Sequence, residues 1–107
     1  MNQPTLPTLD KEGFLLHLDD WNTEVAIKLA EAEGIELSEA HWEIIQLLRE
    51  FYQRFELSPA MRPLAKFITQ KLGKEKASSL YLLSLFPGSP AKIASKVAGL
   101  PKPDNCL

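Results

Sequence analysis

Helix breaks recur at short intervals along most of this chain, at Gly34, Ser58-Pro59, Gly73, Pro87, Ser89-Pro90 and Gly99. Glycine admits the left-handed backbone that ends a helix, and proline fits a first turn but cannot continue a helix. Between the breaks the apolar residues recur at helical spacing. Trp21, Val25 and Leu29 follow Asp19 and Asp20, either of which suits a helix cap, and Gly34 ends that segment. Ser38 opens a second helix through Trp42, Ile45, Leu48, Tyr52 and Phe55. Ile44, Leu47 and Phe51 widen its apolar stripe over much of its girth, so it is expected at the centre.

Ser58 and Pro59 supply cap and first position for a third helix, with Met61, Leu64, Ile68 and Leu72 as its inner face. "KEKASSLYLLSLF" predicts a fourth that stops at Pro87, and "PAKIASKVA" a shorter fifth that closes at Gly99. The connections are too short for parallel neighbours, so the helices turn back on one another. Ahead of them, "TLPTLDKEGFLLHL" predicts a small hairpin around a type I turn from Asp10 to Gly13, with Leu6 and Leu9 paired toward Phe14 and Leu15. The expected fold is mostly α: about five helices with a small N-terminal β-hairpin, in one domain over residues 1–107.

A chain of 107 residues buries roughly 65 % of its unfolded surface without staples. A single cysteine excludes an internal disulfide and any multi-cysteine zinc or iron–sulfur site. No apolar run approaches the roughly 20 residues that span a bilayer, and "MNQPTLPTLD" lacks the basic and apolar regions of a signal peptide. The expectation is a cytoplasmic protein without a membrane partner.

Charge is divided unevenly. Residues 1–57 hold twelve acidic and four basic side chains, a formal −8, whereas residues 58–107 hold two acidic and eight basic ones, a formal +6. Such a division marks either a solvated face or a C-terminal half that meets an acidic partner. One candidate is DNA. "AMRPLAKFITQKLGKEKASSLYLLSLF" reads as helix, glycine turn, helix, with Lys74, Glu75, Lys76, Ser78 and Ser79 at the start of the second helix. No strong basic stripe or arm accompanies it in this slightly acidic chain, which counts against DNA as partner. No phosphate loop or dinucleotide fingerprint can be built from the scattered glycines. His17 and His41 have no paired ligand at helical spacing, so no metal site is expected. Trp21, Trp42 and the other aromatics sit at core spacing.

The remaining candidate is Cys106, one residue from the end of "GLPKPDNCL". An ordinary thiol titrates near pH 8.5, and Asp104 and the chain-terminal carboxylate hold back its ionisation, opposed weakly by Lys102. That does not suit a self-sufficient nucleophile. It does suit a carrier whose thiol is activated inside a partner. Leu100 to Cys106 spans roughly 20 Å in polyproline-like form, and Pro101 and Pro103 restrict the conformations lost on docking.

With these segments on view, the chain resembles the sulfur-carrier family of TusE and the gamma subunit of dissimilatory sulfite reductase, DsrC. The resemblance lies in Asp20-Trp21, "EGIELSEAHWEII", "LREFY", "SPAMRPLAK", "YLLSLFP", "PAK" and "AGLPKPDNCL", in that order. It implies an orthogonal helical bundle with a flexible C-terminal arm. It also implies that the penultimate cysteine, Cys106, accepts sulfane sulfur as a persulfide and passes it on, without a cofactor. In the TusE branch the implied donor is a multisubunit sulfur-relay complex and the acceptor is the tRNA 2-thiouridylase, with tRNA met only indirectly. In the sulfite-reductase branch a second cysteine stands eleven positions before the penultimate one, where this chain has Ser95. That favours the single-cysteine TusE-like branch, with a single-cysteine sulfite-reductase relative or a regulator as alternatives. Gly88, Ser89 and Ile93 depart from the family pattern near the base of the arm. Arg62, Lys66, Lys92, Lys96 and Lys102 are the candidate partner-docking residues.

Overall fold

Five helices follow one another in the order α1 (Thr23–Ala32), α2 (Glu39–Phe55), α3 (Met61–Leu72), α4 (Ser79–Leu85) and α5 (Pro90–Val97). The computed structural model describes residues 7–104, so Leu6 of the expected hairpin lies outside the described residues. α2 is the longest helix and buries Ile44, Ile45, Leu47, Leu48 and Phe51. The hub, however, is the short α5, which packs against all four other helices. Its inner positions Ala91, Ala94 and Ser95, with the capping Ala98, are small and buried, and small side chains let neighbouring backbones come close.

Three helix starts differ from expectation, two because a nearer side chain caps the free amides and one because the expected cap is engaged elsewhere. α1 is capped by Asn22, whose side chain accepts from the Val25 amide at 2.9 Å. Asp19 and Asp20 belong instead to a 3-10 turn, Leu18–Asp20. α3 starts at Met61 with Ala60 as its cap. Ser58 is drawn away from that role, since its hydroxyl donates to the Pro101 carbonyl at 2.6 Å. α4 starts only at Ser79, because the Ser78 side chain accepts from the Tyr81 amide at 3.2 Å. Lys74 to Ser78 form tight turns, closed by Ala77 N–H to Lys74 O at 3.1 Å.

The expected hairpin is reduced to its turn. Gly13 N–H donates to Asp10 O at 3.0 Å with Gly13 at φ +92°, and Asp10 N–H returns to Phe14 O at 2.7 Å. A single antiparallel bridge joins Leu9 to Leu15, and no strand extends from it among the described residues. Pro7 has no amide with which to lengthen a ladder on that side. Apolar contact holds the turn in place: Leu9 and Leu15 pack with Val25 and Leu29 of α1, and Phe14 is 1 % exposed.

Candidate functional site

The end of α5 is gripped by two side chains from elsewhere in the chain. Trp21 Nε1–H donates to Val97 O at 2.9 Å, and Arg49 Nη1–H donates to Ala98 O at 2.6 Å. These are carbonyls that a helix end leaves without partners. The Arg49 guanidinium also lies over the Trp21 ring, 3.9 Å from its centroid. Burial lowers the Arg49 pKa, yet a guanidinium stays charged at any physiological pH.

Beyond α5 the chain turns at Gly99, φ +76°, and runs on as a strap. Leu100 is buried, and its amide donates to Ser95 O at 2.9 Å. The Pro101 carbonyl takes the Ser58 hydroxyl, Lys102 Nζ reaches Glu12 at 3.1 Å, and Pro103 is buried. Asp104 then lines a groove of about 170 Å³ together with Tyr52, Glu56, Leu57 and Pro101. Cys106 lies outside the described residues, two positions past Asp104. The expected reach of roughly 20 Å from Leu100 is therefore shortened in this structure. With residues 100–104 against the body, only two Cα steps, at most about 7.6 Å, separate Asp104 from Cys106.

The basic candidates fall into three places. Lys92 and Lys102 converge on Glu12, at 3.8 and 3.1 Å. Lys96 is 9 % exposed, with Nζ 2.9 Å from Glu33 and 5.2 Å from the centre of the Phe14 ring. Arg62 and Lys66 are exposed one turn apart on α3, and none of the ion pairs among the described residues uses them.

The uneven charge of the sequence has an internal counterpart. Lys71 pairs with Glu50, Lys76 with Glu43, Lys92 and Lys102 with Glu12, and Lys96 with Glu33. Each pair joins the acidic half to the basic half. Lys76 of the helix–turn–helix reading is thus partnered within the chain, as is Lys71 just before its glycine turn, and the residues around Lys74 are turns rather than the start of a recognition helix. His41 is also accounted for. Its Nδ1 accepts the Ser38 amide at 3.0 Å, and its Nε2 meets Leu85 O at 2.8 Å.

Sequence reasoning placed Trp21 in the core, gave Ser58 to a helix cap, and passed over Arg49 and Glu12. The Trp21 and Arg49 hydrogen bonds span 76 and 49 positions, and pairings that distant leave no mark on local spacing. The turn out of α5 at Gly99 was legible in its glycine and the prolines after it.

A family model described as "DsrC like protein" matches residues 2–107. The chain is 53 % identical over 98 residues to a "Sulfurtransferase TusE homolog" of Haemophilus influenzae, covering 92 % of this chain and 90 % of the relative. It is 52 % identical to "Sulfurtransferase TusE" of Sodalis glossinidius, covering 92 % of this chain and 91 % of the relative. Among solved structures, the NMR structure of DsrC from Allochromatium vinosum superposes with a TM-score of 0.83 at 50 % identity, over 92 % of this chain and 88 % of that one. The oxidised gamma subunit of the dissimilatory sulfite reductase from Archaeoglobus fulgidus gives 0.80 at 38 % identity, over 94 % and 92 %.

Proposed function

Since the chain belongs to the DsrC-like family, we propose that it is a sulfur carrier of the TusE type that holds sulfane sulfur on Cys106. The observation that carries this reading is the strap. Trp21, Arg49 and Ser58 fix its base on backbone carbonyls, and the only cysteine of the chain follows three residues past Pro103, the last buried position of the strap. An anchored base leaves only a short terminal segment to be ordered when a partner's pocket receives it, which limits the entropy lost on docking.

The chemistry is thiol exchange. The Cys106 thiolate attacks the outer sulfur of a donor persulfide, forms the new S–S bond and releases the donor thiolate. The acceptor's thiolate repeats the step on Cys106–S–SH. No cofactor enters either step, and residues 1–107 act as one carrier unit in the cytoplasm. The donor is a multisubunit sulfur-relay complex and the acceptor the tRNA 2-thiouridylase. Arg62 and Lys66, exposed and outside the internal ion pairs, are the foremost docking cations. Lys92 and Lys102 would have to leave Glu12 to take part, and Lys96 would have to leave Glu33.

Identity alone does not choose the branch, since TusE-named relatives and the Allochromatium vinosum DsrC match about equally well. Ser95 does favour one: without a second cysteine the chain has no internal disulfide or trisulfide chemistry. A reconstituted relay tests the proposal. Radiolabelled sulfur from a loaded donor should reach the tRNA wobble uridine only when this protein and the acceptor are both present. Labelling that proceeds undiminished without this protein, or with Cys106→Ser, would refute it.

A further inference from the structure

Past Leu100 the strap has no backbone ladder to hold it. Pro101 and Pro103 have no amide to donate, and the Lys102 and Asp104 amides find no acceptor among the described residues. Side chains hold it instead. The Ser58 hydroxyl donates to the Pro101 carbonyl, Pro103 is buried, and between them Lys102 Nζ lies 3.1 Å from Glu12 Oε1 and 3.5 Å from Oε2. Of these holds only the last is ionic. Glu12 also serves a second cation, since Lys92 Nζ, in the first turn of α5, lies 3.8 Å from the same Oε1.

We infer that Glu12 is an ionic latch: it seats residues 101–104 on the body of the protein, and its opening frees the chain from Leu100 onward. A fixed turn presents the carboxylate. Asp10 Oδ1 accepts both the Glu12 amide at 2.8 Å and the Phe14 amide at 3.0 Å, and Phe14 is buried. Glu12 bridges two ammonium groups that lie less than about 7 Å apart and repel each other once the carboxylate is gone. Its loss therefore removes an attraction and leaves a repulsion in the same place. The Lys102 and Glu12 side chains are 36 % and 42 % exposed, so water and salt weaken their pair. A weak hold suits a latch, which has to open.

The latch sets how much chain follows the seated part of the strap. With residues 101–104 seated, three residues follow Asp104; with them released, seven follow Leu100. Leu100 itself stays in place, buried and with its amide on Ser95 O. At about 3.1 Å per residue, release more than doubles the reach of the chain end. The long arm expected from the sequence and the short one in the structure are then two states of one strap. This goes beyond the carrier reading and does not depend on it, because the latch is read from the amides of the strap itself.

NMR relaxation of the isotope-labelled full chain tests the latch at the Lys102 and Asp104 amides. An order parameter of about 0.85 marks rigid backbone and one below about 0.6 flexible backbone. Wild type is expected at about 0.85 in about 10 mM salt, and at about 0.6 or below in about 1 M salt, where charges are screened within about 3 Å. Glu12→Gln should show the lower value at both salt concentrations. Glu50→Gln, which breaks the pair with Lys71, should match wild type. Glu12→Lys combined with Lys102→Glu should restore order at low salt, since it keeps the pair with its signs exchanged. If Glu12→Gln is as ordered as wild type, or salt leaves wild type unchanged, Ser58 and Pro103 seat the strap alone and the latch is refuted. Disorder of both amides in wild type at low salt refutes it as well. The Leu16 amide, which donates to Thr8 O at 3.1 Å, reports on the turn. If Glu12→Gln loosens that amide too, the charge exchange decides, and its failure to restore order overturns the inference.

Discussion

Gly99 lies against Trp21 with no room for a side chain between them. A Cβ on Gly99 would sit 2.3 Å from Trp21 Cδ1, and the glycine holds φ +76°. The same indole donates to Val97 O, so Trp21 both supports the turn out of α5 and excludes any residue but glycine from it. Gly99→Ala combines a left-handed alanine with a clash against a ring that is itself hydrogen-bonded. It is expected to cost at least about 2 kcal/mol. Thermal unfolding should show a melting temperature lower by roughly 10 °C. An unchanged midpoint would mean that the ring moves aside freely and clamps nothing.

The grip on α5 should be shared between its two donors. Trp21→Phe removes one neutral hydrogen bond, about 1 kcal/mol, and Arg49→Met a charged one, about 1.5–3 kcal/mol. The two side chains stack at 3.9 Å and hold adjacent carbonyls, so the double variant should depart from additivity by more than 0.5 kcal/mol, roughly the lower limit for touching residues. Urea unfolding of the four proteins measures this. Strict additivity would show two independent contacts rather than one clamp.

Much of this architecture is written in local pattern. The glycine and proline breaks mark out five helices, and Ser89-Pro90 and Gly99 bound α5 as expected. The hairpin stops at one bridge beside Pro7, and three helix starts came out differently because side chains found other partners. Asn22 and Ser78 out-compete their neighbours as caps, and Ser58 is claimed by Pro101, 43 positions away. The placing of the strap depends on such distant pairs, to which periodicity is blind. The charge division was plain in the sequence, but its internal use was not. Which Glu faces which Lys depends on helix packing, and only the fold decides that.

The Asp10 turn should respond to acid. The Phe14 amide, above all, holds the Asp10 carboxylate below its ordinary pKa, helped by the Glu12 and Gly13 amides and by Lys96. A folded pKa below the unfolded one stabilises the fold above the unfolded value, about 3.9, and that contribution is lost as pH falls through the folded pKa. Asp10→Asn should therefore be less stable than wild type at pH 7 and should approach it as pH drops below about 4. Denaturant midpoints across that range measure it. A gap independent of pH would show that the carboxylate charge contributes nothing to the turn.

Ser95 is fully buried in α5, and its hydroxyl has no hydrogen-bond partner among the described residues. A buried hydroxyl without a partner costs about 1–3 kcal/mol relative to an apolar group of similar shape. Ser95→Ala is expected to raise stability by about 1 kcal/mol, read from chemical denaturation. A loss of 1 kcal/mol or more would show that the hydroxyl is bonded after all, in an arrangement that matters to the fold.

The central claim is that this chain carries sulfur on one residue. Intact-protein mass spectrometry after incubation with a persulfide-charged donor reads that directly. Wild type is expected to gain the mass of one sulfur atom, to lose it again to dithiothreitol, and to gain none when Cys106→Ser is present. Sulfur that adds to the Cys106→Ser protein as readily as to wild type would contradict the account.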